Sequence, residues 1–198
     1  MTIEALKIPD VQYIDVKLLE GEHLTEEYQK LNPLHTIPML KDDDFVVWDS
    51  HAICTYLVTV YGDDDSLYPK DPKKRAIVDQ RLHFDTGTLF PAARGAFEPV
   101  LYWGEKKFKE ESLKKIQSGY EFTDKLLTSN WIAGDVVTLA DICCITSISC
   151  MNEILPIDQN KYVNLWAWFQ RCSKLPLCKT VNEPGLKDFR ELLKWKLE

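Results

Sequence analysis

No apolar run in this 198-residue chain approaches the roughly 20 residues a membrane-spanning helix needs. The start, Met1-Thr2-Ile3-Glu4-Ala5-Leu6, has neither the basic leader nor the long apolar stretch of a secretory signal, so a cytoplasmic protein is expected. Excess positive charge is missing too. Lys and Arg total 24 against 31 Asp and Glu, a net charge of -7, which argues against nucleic acid as a partner. No C-x-x-C pair occurs among the six cysteines and the four histidines are scattered, so no metal site is expected. The cysteines read instead as small, reduced core residues. One further absence matters later: the first serine is Ser50.

What is present is ordinary globular material, 45% hydrophobic and 28% charged, with six Trp, eight Tyr and eight Phe to fill a core. The length allows one generous domain or two small ones. Val11 to Val16 alternates and is rich in β-branched and aromatic residues, which predicts a strand. Thr25 to Leu31 is a short helical stretch halted by Asn32-Pro33. Pro38 to Lys41 and Phe45 to Trp48 flank Asp42-Asp43-Asp44 as a β-hairpin would. From Ser50 the apolar positions Ile53, Tyr56, Leu57 and Val60 recur at helical spacing until Gly62. Residues 63–72 are acidic, carry Pro69 and Pro72 and lack periodicity, marking a boundary.

Everything beyond reads as helix. Asp71 and Pro72 form a helix start, and Pro91 is expected to kink the helix that follows. Leu113, Ile116, Tyr120, Thr123 and Leu127 mark the face of another. Thr138-Leu139-Ala140-Asp141 is a capping-box pattern opening a helix with so little polar surface that it should be the buried centre. Tyr162 to Cys172 and Leu186 to Leu197 add two amphipathic helices. The expected organisation is a small α/β unit over residues 1–65, a linker over 66–72 and an all-helical unit over 73–198.

Two segments carry recognisable chemistry: Asn32-Pro33-Leu34-His35-Thr36-Ile37-Pro38 and Trp48-Asp49-Ser50-His51-Ala52-Ile53. Together with Gly21 to Leu24, Leu67 to Asp71, Lys74-Arg75-Ala76 and Thr138 to Ile142, in this order and spacing, they resemble cytosolic glutathione transferases, nearest to the insect epsilon class. The resemblance implies an α+β fold: a thioredoxin-like N-terminal domain, incomplete because its first strand is lacking, then an all-α glutathione-transferase C-terminal domain. It also implies a homodimer that conjugates glutathione, a co-substrate rather than a resident cofactor, to hydrophobic electrophiles.

The implied roles are physically sensible. Pro38 would follow a cis bond, leaving the Ile37 backbone to pair with the cysteinyl part of glutathione as an added strand. Ser50 would meet the γ-glutamyl carboxylate at a helix N-terminus, with Asp49 opposite the ammonium and His51 nearby. His35, beside Thr36, and His23 would reach the glycyl carboxylate. Phe90, Arg94, Phe97, Glu98, Leu101 and Tyr102 resemble the electrophile pocket. Plainer readings stand beside these: Asp49 and Ser50 as a helix cap only, His35 as a loop histidine, and Phe97 with Leu101 as core at i, i+4 spacing.

The family's catalytic Ser-Pro motif has no counterpart, so no catalytic residue is assigned. Losing one hydrogen bond to a thiolate costs about 1.5–3 kcal/mol, roughly 10–150-fold in rate. A non-catalytic carrier of glutathione or hydrophobic ligands, and a transferase-like interaction module, are the alternatives to a conjugating enzyme.

Overall fold

The structure, a computed structural model, describes residues 1–198. The chain divides into two compact units, Thr2–Asp65 and Ser66–Glu198, with Met1 grouping with the second. No helix is long and apolar enough to cross a membrane.

The first unit runs from α1 (Thr2–Leu6) through two single 3-10 turns to α2 (Glu26–Leu31), a hairpin of β1 (Met39–Asp42) and β2 (Phe45–Trp48), and α3 (Ser50–Tyr61). The strands pair antiparallel with Met39 opposite Trp48 and Asp42 opposite Phe45. That leaves Asp43-Asp44 as a two-residue turn, and Asp43 adopts φ 50°, a conformation Asp tolerates better than most residues. Ile53, Leu57 and Val58 bury one stripe of α3, against which α1 packs. The Thr2 hydroxyl donates to Cys54 Sγ at 3.1 Å. Gly62 follows the helix in extended conformation where no side chain fits: a Cβ there would sit 2.5 Å from the Val58 carbonyl oxygen.

At its far end the hairpin is tied to α3. Asp42 Oδ2 accepts hydrogen bonds from the Tyr56 hydroxyl at 2.7 Å and the Tyr61 hydroxyl at 2.5 Å. Phe45 lies against Tyr56 with ring centroids 4.8 Å apart. The two phenols hold the Asp42 carboxyl below its usual pKa, while Tyr61 in turn is pushed up to about 12.

One expectation fails here. Val11 to Val16 forms no strand and makes no ladder with any other segment; Tyr13 and Ile14 are 77% and 76% exposed. The alternating pattern satisfies the local preference of a strand, but a strand exists only through hydrogen bonds to a neighbour, and the only sheet in the structure is β1–β2.

The second unit holds α4 (Pro72–Phe84), α5 (Phe90–Tyr102), α6 (Glu110–Leu126), α7 (Leu139–Ile154), α8 (Val163–Ser173) and α9 (Glu183–Leu197). Asp71 caps α4 by accepting from the N–H groups of Lys73 and Lys74. Arg75 reaches back to the carbonyls of Pro69 and Tyr68 and lies over the Tyr68 ring, fixing the preceding loop.

The bend expected at Pro91 is a π-helical turn, Asp85–Leu89, between α4 and α5. A second, Cys178–Asn182, precedes α9 and Pro184. In both places the helix widens just ahead of a proline, whose ring would otherwise crowd the carbonyl four residues back. Pro99, inside α5, also leaves the Gly95 carbonyl without its helical donor. The Ser112 hydroxyl of α6 supplies one at 2.9 Å.

As the sequence predicts, α7 is the central helix, with twelve of its sixteen residues buried. Asp141 opens it and is 1% exposed. Its Oδ1 accepts from the Ile132 N–H at 2.9 Å and the Trp168 indole at 2.8 Å; its Oδ2 accepts from the Thr138 N–H at 3.0 Å. Burial pushes the Asp141 pKa up, outweighing the donors that lower it. The folded chain therefore holds this proton more tightly than the unfolded one, so this group's contribution to stability declines as pH rises through its raised pKa.

Asp141→Ala strands three buried N–H donors. Urea unfolding should show a loss of about 3–5 kcal/mol, a large part of a typical domain stability of about 5–15 kcal/mol. None of the six cysteines is in a disulfide. Burial pushes the Cys150 thiol up to about 11 and raises Cys144 and Cys172 further. At pH 8 about one Cys150 in a thousand is then thiolate, against about a quarter for an ordinary thiol. A chromogenic disulfide reagent should titrate these thiols slowly in the native chain and all six promptly in guanidinium.

Candidate functional site

The loop after α2 is built on Asn32, which is 0% exposed. Its Nδ2 donates to the Thr36 carbonyl at 2.7 Å and to the Thr36 hydroxyl at 3.2 Å, its Oδ1 accepts from the Leu34 N–H, and its carbonyl accepts from the His35 N–H. The Tyr28 hydroxyl adds a second donor to the Thr36 carbonyl at 2.7 Å, and burial raises its pKa. Thr36 thus spends its carbonyl on holding the loop. His35 is forced to φ 45° at the apex.

The consequence is an exposed stretch of backbone at Ile37. The Ile37–Pro38 peptide is cis, Ile37 is 43% exposed, and no other group of the chain bonds its N–H or C=O. The His23 and His35 rings lie 6.1 Å apart, and the buried Nδ1 of His23 has no hydrogen-bond partner.

At the same open end of the hairpin, where Met39 pairs with Trp48, Asp49 caps α3 with one oxygen: Oδ1 accepts from the His51 N–H at 2.9 Å and the Ala52 N–H at 3.1 Å. Its φ is 76° and its side chain is 56% exposed. This leaves Oδ2 and, at the first helical position, the Ser50 N–H outside the cap. The Ser50 hydroxyl lies 3.4 Å from His51 Nδ1. The structure separates two residues that the sequence pattern treats together: Asp49 is the cap and Ser50 is not. A carboxylate oxygen, a helix-terminal N–H and a hydroxyl thus sit on two adjacent residues at a helix N-terminus, the donor and acceptor types that suit an α-amino acid head group.

On α5, at 3.6 residues per turn, Phe90, Arg94, Phe97, Glu98 and Leu101 fall along one face. Phe90 and Tyr102 are exposed and Leu101 is buried. Arg94 pairs with Glu98 in a two-pronged bond at 2.8 and 3.1 Å, which raises the Arg94 pKa. Phe97 meets Phe189 of α9 edge-on at 5.6 Å. Two cavities of the helical unit lie elsewhere: both are lined by the ion-paired Glu153 and Arg190, and in one of them the Asn182 amide donates to the Ser149 hydroxyl.

Asn32, Tyr28 and Phe189 are the residues sequence reasoning missed. The Asn-Pro doublet marks a turn but not a buried hub, and nothing local to Phe189 signals a partner 92 residues earlier.

Comparison with known proteins agrees with these features. Residues 1–60 match the glutathione S-transferase N-terminal domain and residues 52–176 the C-terminal domain. Glutathione S-transferase 1 of Manduca sexta is 63% identical over all 198 residues, which span 91% of that relative. An epsilon-class glutathione S-transferase from the housefly, Musca domestica, superposes with a TM-score of 0.94 at 40% identity, covering 98% of this chain and 90% of that one. A glutathione transferase homologue from Drosophila mojavensis, solved with bound glutathione, gives 0.92 at 39% identity over 98% and 89%. The chain belongs to the glutathione S-transferase family. Its first unit is accordingly a thioredoxin-like domain and its second the helical domain of that family.

The division of labour at Asp49 and Ser50 is open to a direct check. Asp49→Ala should lower stability by about 1 kcal/mol through loss of the cap, while Ser50→Ala should change it by under about 0.5 kcal/mol. Thermal unfolding of the two variants distinguishes them; equal losses would make Ser50 part of the cap.

Proposed function

We propose that the chain binds reduced glutathione along Ile37 and the start of α3 and conjugates its sulfur to a hydrophobic electrophile. The observation that carries this reading is the split use of Asp49: one oxygen caps α3, and neither the other oxygen nor the Ser50 N–H at the first helical position takes part in the cap. An ammonium and a carboxylate on one carbon, as at the γ-glutamyl end, answer that pair. Ile37 offers a donor and an acceptor to the cysteinyl residue as a strand would, with Thr36 and Pro38 setting its direction. The imidazoles of His23 and His35 supply donors for the glycyl carboxylate, and His51 flanks the γ-glutamyl end. The face of α5 from Phe90 to Tyr102 receives the electrophile: Phe90 and Phe97 supply apolar surface, Leu101, buried, backs them from within the core, and Arg94 with Glu98 supplies a polar edge.

In the reaction the glutathione thiol gives its proton to solvent. The thiolate then forms a carbon–sulfur bond while the electrophile releases its leaving group or takes up a proton. Residues 1–49 contain no serine, so these residues offer no counterpart of the hydroxyl with which family members stabilise the thiolate. An unassisted thiol is ionised to only a few per cent at neutral pH, so help to the thiolate and proximity to the electrophile set the rate. Likeness to the housefly structure and the His-Thr-Ile-Pro and Trp-Asp-Ser-His-Ala-Ile motifs support placement in the epsilon class. On the same footing we read the chain as a cytoplasmic homodimer.

Calorimetry should detect glutathione binding, and an aryl halide should be conjugated above the spontaneous rate. Asp49→Asn retains a capping oxygen but removes the charge, so the KM for glutathione should rise about 10–150-fold, the worth of a charge-assisted bond. Binding without conjugation would convert the enzyme into a carrier; no binding would overturn the reading.

A further inference from the structure

Val11 to Val16 has the composition of a strand, and the glutathione reading gives it no role. No backbone N–H or C=O group of residues 11–16 bonds another group of the chain, and Tyr13 and Ile14 stand out into solvent. An extended, β-branched and aromatic run with its backbone unbonded is a strand ready to be added to a sheet.

The same unit carries a sheet edge ready to receive one. The two-residue turn makes Asp42 and Phe45 a hydrogen-bonded pair, and alternation along the ladder makes Leu40 and Val47 the next. The N–H and C=O groups of Met39 and Lys41 therefore face away from the hairpin on one edge, and those of Val46 and Trp48 on the other. No group of the chain bonds any of them. The two edges differ in charge: β1 carries the exposed Lys41, whereas Phe45 to Trp48 of β2 carries no charge at all.

Residues 11–16 carry a single charge, Asp15. Laid parallel to β1 with Asp15 beside Lys41, the segment sets Tyr13 beside Met39 and Ile14 beside Leu40, and brings Lys17 to Asp43 at the turn. In this register the N–H groups of Met39 and Lys41 donate to the carbonyls of Gln12 and Ile14. The carbonyls of Met39 and Lys41 accept from the N–H groups of Ile14 and Val16. A slip of one residue puts Asp15 beside Leu40 or beside Asp42, so the charges favour β1 over β2 and one register over its neighbours.

We infer that Val11–Val16 of one chain adds as a parallel strand to the β1 edge of a second copy. Each chain has one such segment and one such edge, so two copies related by a two-fold axis satisfy both at once. The second arm then closes within an existing pair, which strengthens the association beyond that of one strand. The inference is independent of the glutathione reading.

The test follows backbone amide exchange of the full chain by mass spectrometry at low and high protein concentration. Peptides covering residues 11–16 and 39–42 should exchange more slowly, and together, at the high concentration, while those of α7 do not change. Asp15→Lys sets like charges side by side in both arms, so the same protection should need about tenfold more protein. Asp15→Lys combined with Lys41→Asp restores opposite charges and should return the parental concentration dependence, with α3 and α7 exchanging as in the parent throughout. Exchange that is independent of concentration in either segment overturns the inference, as does concentration dependence confined to other segments, which belongs to a different interface. An Asp15→Lys variant that behaves as the parent, or a double variant that associates no better than Asp15→Lys alone, overturns it as well.

Discussion

A buried carboxylate with nowhere to go but its own donors organises the helical unit. Asp141 sits at the first turn of the most buried helix and gathers the Thr138 N–H, the Ile132 N–H and the Trp168 indole N–H. These donors come from the helix start, the loop before it and α8, so three pieces of chain meet on one side chain. Each donor is itself nearly inaccessible: Ile132 is 1%, Thr138 3% and Trp168 0% exposed. None can turn to water if the carboxylate is lost. Desolvation makes the group costly and its satisfaction mandatory, so the arrangement tolerates few alternatives and specifies one packing.

The other unit solves a different problem. It presents backbone to solvent rather than hiding it, and so must hold that backbone in place from behind. Asn32 and Tyr28 fasten Thr36 so that Ile37 is left uncommitted. Asp49 commits one oxygen to the helix and keeps the other. In both cases a residue divides its hydrogen-bonding capacity between the fold and the outside. Neither half depends on a large hydrophobic core, which the unit, with three buried aliphatic residues on α3, scarcely has.

How much of this was legible in the sequence follows from the range of the interactions. The hairpin, the caps at Asp71 and Thr138, the buried α7 and the cis bond before Pro38 were expected from local patterns or from the family resemblance, because each is set by residues within a few positions of one another. Val11 to Val16 was misread because alternation records only that a segment could form a strand; its existence depends on a partner segment. The π-turns before Pro91 and Pro184 were foreseen only as a bend at the first, since the pattern of apolar residues is nearly the same in a widened helix. Asn32 escaped notice for the opposite reason: a polar residue in a loop looks like surface, and only packing makes it interior. Phe189 meets Phe97 through tertiary folding alone.

The loop on Asn32 also bears on how such a surface could diversify. Its shape is stored in side chains that face inward, and its outward side chains, Leu34 and His35 among them, carry little of that burden. Form and content are written by different residues. Successive generations could therefore rewrite what the loop displays while its backbone keeps the same pose, so that novelty at the rim need not be bought with a refolded scaffold.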